Sequence, residues 1–285
     1  IVVNQPFVLR AGISLAAALK SAPLEALENR ILLSHALQLT RIQLITQSER
    51  ILSEAEAASL STLFQRRLQG EPIAYIVGER EFFGLALQVT PAVLIPRPDT
   101  ELLVELALER LPPQAHALDM GTGSGAIAVA IAHSRTDVRM QALDVSAEAL
   151  QVAASNAQRH GVQINFLRSD WYDALAQSGE PAPVFDLIVS NPPYIVAGDT
   201  HLSQGDLRFE PIGALTDHAD GLSALRRIID GASQYLRHDG WLLMEHGYDQ
   251  AAAVRDLLHA RGFTQVQSWR DLAAIERVSG GQLAR

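Results

Sequence analysis

Gly121-Thr122-Gly123-Ser124-Gly125 lies between two apolar runs, residues 115–118 and 126–132. The first run has the length of a strand and the second reads as a buried helix. A strand that enters a helix through such a turn lets backbone come close to a nucleotide-like ligand. From residue 115 onward, strand-length and helix-length runs alternate, with further strands expected at 140–144, 164–167, 185–190, 241–245, 264–269 and 274–279. This alternation predicts an α/β fold with a mostly parallel, doubly wound sheet. The glycines stand at alternate positions, whereas the dinucleotide fingerprint is G-x-G-x-x-G, so a pyrophosphate is not the obvious guest.

Two further strand ends carry acids where such a ligand needs them. The strand 140–144 ends in Asp144, about 20 residues past the glycines, where a carboxylate can hold ribose hydroxyls. The strand 164–167 runs into Ser169-Asp170-Trp171. Asp170 can accept from an exocyclic amine, and Trp171 can lie near an adenine ring. Each residue also has a plain structural explanation: a packing turn, a helix cap, a loop acid, a core aromatic. Their joint order points to one ligand site. Asp119-x-Gly-x-Gly-x-Gly resembles the first motif of the class I methyltransferases, which bind S-adenosylmethionine.

The fourth strand, 185–190, stops at Asn191-Pro192-Pro193-Tyr194. Two prolines have no N–H for a ladder, so the strand gives way to a stiff loop. Asn191 Oδ1 and the Pro192 carbonyl can accept from both hydrogens of a planar –NH2 group, while Tyr194 packs against its face. Asn-Pro is also a common turn opener.

Ahead of this domain, the chain reads as short helices. Ser14, Pro23 and Thr40 open three of them, and Ser53-Glu54-Ala55-Glu56 is a capping box for a fourth. Residues 1–72 are therefore expected to form a small helical bundle, with no catalytic motif, that serves substrate-protein recognition. Residues 73–96 are expected to form a β-hairpin turning at Gly84 and bridging to the domain 97–285, whose first helix is capped by Asp99 or Thr100. At the other end, Ser279-Gly280-Gly281-Gln282 reads as a glycine-rich exit from the last strand, with Gln282 in a frayed terminus.

The net charge of −9 and the lack of a dense basic run disfavour nucleic acid as a direct substrate. The chain has no cysteine, which removes thiolate chemistry and disulfides. Histidines lack ligand spacing, so no metal is expected. No apolar stretch is long enough to span a membrane, and the first residues lack the regions of a signal peptide, although Ile1 is not a methionine. A cytoplasmic monomer is expected.

Pro72-Ile73-Ala74-Tyr75-Ile76-Val77-Gly78, Phe83-Gly84-Leu85, Ile95-Pro96-Arg97-Pro98-Asp99-Thr100-Glu101, the glycine motif and Asn191-Pro192-Pro193-Tyr194 together resemble the bacterial release factor glutamine methyltransferases, the HemK/PrmC family. The resemblance implies a class I methyltransferase sheet and transfer of methyl from S-adenosylmethionine, leaving S-adenosylhomocysteine. The acceptor is the side-chain amide nitrogen (N5) of the glutamine in the Gly-Gly-Gln motif of class 1 peptide chain release factors. It implies that Gly121, Thr122, Gly123, Ser124, Gly125, Asp144, Trp171 and Asn191 contact the cofactor and that Asn191, Pro192, Pro193 and Tyr194 hold the glutamine. Where the family more often has glycine, this chain has Ala274. The alternative reading is an adenine-N6 methyltransferase acting on DNA or RNA, which shares the Asn-Pro-Pro-Tyr motif and takes a flipped base. That reading calls for a target-recognition domain or a basic stripe. A non-catalytic cofactor-binding scaffold is the third possibility.

Overall fold

The structure, a computed structural model, describes residues 7–177 and 182–284. Residues 1–6 of the expected bundle therefore lie outside the described residues. The chain divides into two compact units, Ile1–Gly78 and Glu79–Arg285.

The first unit contains α1 (Leu15–Ser21), α2 (Ala26–Leu37), α3 (Arg41–Thr46), α4 (Glu54–Leu68) and α5 (Ile73–Val77). Helices α1, α3 and α4 begin where side-chain oxygens take up otherwise unpaired backbone N–H groups. Ser14 caps α1, and the boxes Thr40/Gln43 and Ser53/Glu56 are complete, each side chain bonding the other residue's backbone. Leu15, Leu32, Leu33, Leu60 and Phe64 are fully buried between them. Helix α2 starts later than Pro23 suggests, because Asn29 holds the preceding turn through Leu24 N and the carbonyls of Ala22 and Leu24. Residues 73–77, expected as the first arm of a hairpin, are instead helix α5, which ends at Gly78 in a left-handed conformation (φ 75°). Ile76 of this helix belongs to the bundle core.

The hairpin itself is β1 (Glu79–Phe82) and β2 (Leu85–Gln88), and it belongs to the second unit. Phe82, Leu85 and Leu87 pack into that unit's main core. Next come α6 (Glu101–Arg110), β3 (His116–Met120), α7 (Ala126–Ser134), β4 (Arg139–Asp144), α8 (Ala147–Arg159), β5 (Ile164–Arg168), α9 (Asp173–Ala176) and β6 (Phe185–Ser190). The chain ends with α10 (Ile212–Leu215), α11 (Ser223–Tyr235), β7 (Leu236–Glu245), α12 (Ala251–Ala260), β8 (Phe263–Arg270) and β9 (Glu276–Leu283).

Seven strands form one sheet in the order β5-β4-β3-β6-β7-β9-β8. The five from β5 to β7 are parallel, and β9 is antiparallel to both β7 and β8. Strand order reverses at β3, which pairs with β4 on one side and β6 on the other. In open α/β sheets the crevice at the carboxyl ends of the strands beside such a reversal binds ligands.

Two local readings are corrected. Neither Asp99 nor Thr100 caps α6 with its side chain: residues 98–100 form a 3-10 turn that leads into the helix. Gly280-Gly281-Gln282 is not a frayed exit but the middle and end of β9, paired to Leu243, Leu242 and Trp241 of β7. A Cβ on Gly280 would stand 2.4 Å from Leu242 O, so glycine is what lets the two strands lie this close. The amide of Gln282 is occupied, donating to Asp239 O at 2.7 Å and accepting from Gln265 Nε2 at 2.6 Å. Ala274 has φ 62°, the left-handed region that glycine adopts more easily. Asp271 fastens this turn by accepting from Ala273 N and Ile275 N, both at 2.9 Å.

Candidate active site

The carboxyl ends of β3, β4, β5 and β6 enclose a cavity of about 420 Å³, and every residue that lines it belongs to the second unit. Gly121, Thr122, Gly123 and Ser124 of the turn after β3 form one part of the lining, with Asp144, Asp170, Trp171, Asn191 and Pro193. Gly125 lies outside the lining. A Cβ there would meet Ala153 Cβ at 3.0 Å, so this glycine serves the approach of α7 to α8. Pro192 and Tyr194 are also outside it.

The turn is held by its own polar groups. Gly123 has φ 54°, and a Cβ on it would meet nothing within 4 Å. Its N–H donates to Asp144 Oδ2 at 2.8 Å, and Ser146 N donates to Asp144 Oδ1 at 2.9 Å. Burial raises the Asp144 carboxyl above its ordinary pKa, against the pull of these N–H groups. Beneath the turn, Asp119 is fully buried and accepts from Thr122 Oγ1 at 2.6 Å, while its Oδ1 has no partner among the described residues. Burial pushes Asp119 up to about 7. At the end of β5, Trp171 sits at φ 50°, unusual for a bulky residue. Ser169 fastens that turn, donating to Trp171 O at 2.7 Å and accepting from Ala174 N at 2.9 Å.

The loop after β6 is fixed from several sides. Ser190 Oγ donates to Met120 O at 2.7 Å, tying the ends of β6 and β3. Asn191 Nδ2 donates to Thr100 Oγ1 at 3.2 Å, and Gln250 Nε2 donates to Tyr194 O at 3.1 Å. Tyr194 Oη donates to Glu245 Oε1 at 3.2 Å. Burial pushes the fully buried Glu245 up to about 7, offset in part by the hydroxyls of Thr100 and Tyr194. Burial and this carboxylate also raise the Tyr194 phenol. Neither Asn191 Oδ1 nor the Pro192 carbonyl accepts a hydrogen bond from another described residue.

The fit to S-adenosylmethionine rests on these features. The turn carries open space where a side chain would otherwise stand, two acids and an indole sit at successive strand ends, and the cavity has room for a nucleoside-sized ligand. Among the described residues no three His, Asp or Glu side chains converge as a metal site.

Comparison with known proteins gives the family. Residues 13–78 match the PrmC N-terminal domain family, and residues 98–206 match the methyltransferase small domain family. A release factor glutamine methyltransferase of Burkholderia pseudomallei is 55% identical over 273 residues, covering 93% of this chain and 94% of its own. The chain belongs to the release factor glutamine methyltransferase family. A second member, from Bordetella pertussis, is 52% identical over 262 residues, covering 91% of this chain and 96% of its own. The crystal structure of a methyltransferase from Pyrococcus furiosus, 18% identical, covers 77% of this chain and 97% of its own with a TM-score of 0.53. That likeness shows the α/β methyltransferase fold alone.

In this family member, three parts of the site escaped the motif reading. Thr100, read as a cap, faces the cavity and meets Asn191. Glu245 stands at the carboxyl end of a parallel strand, the same position that singles out Asp144. Glu210, whose side chain is fully buried, pairs with Arg97 and accepts from Ile95 N at 3.0 Å. It thereby ties the cavity-lining segment 91–97 to the segment after Tyr194. Nothing in the sequence pairs Phe209-Glu210-Pro211 with a segment more than 100 residues earlier.

Proposed function

We propose that Asn191 and Pro192 hold the side-chain amide of a glutamine, that of the Gly-Gly-Gln motif in class 1 peptide chain release factors, while its nitrogen is methylated. As a member of its family the chain is an S-adenosylmethionine-dependent protein-glutamine N5-methyltransferase that acts on release factors. When bound, the cofactor supplies an electrophilic sulfonium methyl group. The residues suited to hold it are the backbone of 121–124, Asp144 toward ribose hydroxyls, and Asp170 with Trp171 toward adenine.

An amide nitrogen is a poor nucleophile because its lone pair is delocalised into the carbonyl. Asn191 Oδ1 and the Pro192 carbonyl, accepting from its two hydrogens, orient the nitrogen and shift electron density onto it. Both acceptors bind more strongly as the nitrogen becomes positive, which favours the transition state over the ground state. A fixed loop also supplies the alignment on which such a displacement depends. The chain needs no general base, since a methylated, cationic amide is acidic enough to lose its proton to water. Pro193 stiffens the loop, and Tyr194, anchored through Glu245, keeps its ring beside it.

The observation that carries this reading is the commitment of Asn191 Nδ2 to Thr100, which leaves Oδ1 as an acceptor at the edge of the cavity.

Residues 1–72 are assigned to recognition of the release factor. Leu27, Ile42, Ile45 and Ile51 are all more than half exposed there, apolar side chains available to a protein partner. Among the described residues no helix is long and apolar enough to cross a membrane, and a cytoplasmic, monomeric enzyme is the reading we adopt. The test is mass spectrometry of a class 1 release factor incubated with this protein and S-adenosylmethionine. One added methyl on the glutamine of Gly-Gly-Gln is expected. An unmodified factor, or a methyl elsewhere, refutes the assignment.

A further inference from the structure

An asparagine amide can sit either way up, and the two ways present opposite chemistry to a substrate amine. Here the amide is oriented with Nδ2 toward Thr100 Oγ1. A threonine hydroxyl does not by itself enforce this, because it can donate as readily as it accepts. It has only one proton, however, and whatever takes that proton leaves the oxygen acceptor-only toward Asn191. Glu245 is the group placed to take it. Its carboxyl is buried at the end of β7; Oε1 receives the Tyr194 hydroxyl, Oε2 is buried with no partner among the described residues, and the Thr100 hydroxyl is near enough to favour the charged form. A buried acceptor without a donor is costly, so the Thr100 proton belongs there.

We propose that Thr100 and Glu245 are positioning residues for methyl transfer: Glu245 draws the hydroxyl protons of Thr100 and Tyr194 to itself, and Thr100, left as an acceptor, holds Asn191 with Oδ1 facing the substrate. The inference rests on the amide-holding role of Asn191. It adds that this role depends on a proton order set by two residues distant in sequence, one in α6's leading turn and one at the end of β7. Neither positioning residue touches the reacting atoms. A carboxylate accepts from both hydroxyls, one on each oxygen, only when ionised; burial and Asp99 favour its neutral form, while the two hydroxyls and Arg277 favour the ionised one, so the arrangement belongs to the alkaline side.

The test is single-turnover methylation of a release factor by the full chain at pH 8, with S-adenosylmethionine affinity measured separately by calorimetry. Thr100→Val keeps the side-chain shape and loses the hydroxyl. It should slow transfer about tenfold at saturating cofactor, the size expected for one orienting hydrogen bond, with any change in cofactor affinity read separately by calorimetry. Thr100→Ser should restore the rate. In an Asn191→Ala background, Thr100→Val should cause no further slowing, because it acts through Asn191. Transfer at the wild-type rate in Thr100→Val overturns the proposal. So does slowing by the same factor with and without Asn191, which marks a merely structural role. If Asn191→Ala alone transfers at the wild-type rate, the amide-holding reading itself falls; if only Thr100→Val does, that reading stands and the positioning fails. Should Thr100→Val not fold, Glu245→Gln carries the same test. Its amide turns a donor toward Thr100, and slowing that disappears in the Asn191→Ala background is again expected. A wild-type rate overturns the proposal.

Discussion

Asn191 is defined at the residue scale by the atom it leaves free. Asn191→Ala removes an acceptor used as charge develops on the substrate nitrogen, so single-turnover transfer should fall on the order of 100–1,000-fold. Thermal unfolding should change little, since the lost hydrogen bond to Thr100 is only part-buried. Near-normal transfer would remove Asn191 from the mechanism. Asp119 makes a separate prediction. Its carboxyl is raised from 3.8 to about 7 in the folded protein. Between those values the unfolded chain releases this proton and the folded chain keeps it, so stability falls as pH rises through the window and is level above it. Asp119→Asn cannot ionise. Melts across the pH range should show the variant gaining on wild type from about pH 4 to about pH 7; a pH-independent gap would contradict the burial argument. At this scale the sequence was legible where one residue type at one strand end suffices. Asp144, Asp170, Trp171 and Asn191 all face one cavity, as their order along the chain suggests. Thr100 was not legible, because a threonine before a helix looks like a cap. What claims it instead is a side chain 91 positions away.

Elements were legible wherever local chemistry decides them. The helix opening at Thr40, the box at Ser53 and the parallel strands after the glycine turn depend on neighbours in sequence. The failures lie where long-range packing outweighs pattern. Residues 73–77 are β-rich in composition, yet Ile76 finds a helical core and the segment closes the bundle as α5. Gly280-Gly281 looks like a strand terminus, since glycine weakens strands. Here β9 is inserted between β7 and β8, and the missing Cβ is what permits close contact. Gly280→Ala should therefore destabilise the protein by about 1–3 kcal/mol, the usual cost of overpacking. Urea unfolding checks this, and an unchanged midpoint would mean the strand is not seated as described. The hairpin β1–β2 likewise takes its place from tertiary contacts. Asn156 of α8 accepts from Gln88 N at 2.7 Å and donates to Gln88 O at 3.0 Å and to Ser124 O at 2.8 Å. One buried amide thus links the hairpin to the glycine turn.

At the scale of the whole molecule, the cavity belongs entirely to the second unit, and the first carries no part of it. Removing residues 1–78 should leave S-adenosylmethionine affinity near that of the full chain, by calorimetry, while methylation of an intact release factor falls. Equal efficiency on the intact factor, from a truncated form that circular dichroism shows to be folded, would refute a recognition role for the bundle. By itself the sequence determined the alternation that builds the sheet, the turn and acids at its strand ends, and the stiff loop that ends β6. Hydrophobic period, glycine placement and the missing N–H of proline act within a few residues and need no partner. Only the tertiary structure decided which way up Asn191 sits, which glutamate is buried beneath its loop, and that Gly-Gly-Gln in this chain is a strand and not a tail. Those outcomes depend on groups distant in sequence competing for the same hydrogen bonds and the same space.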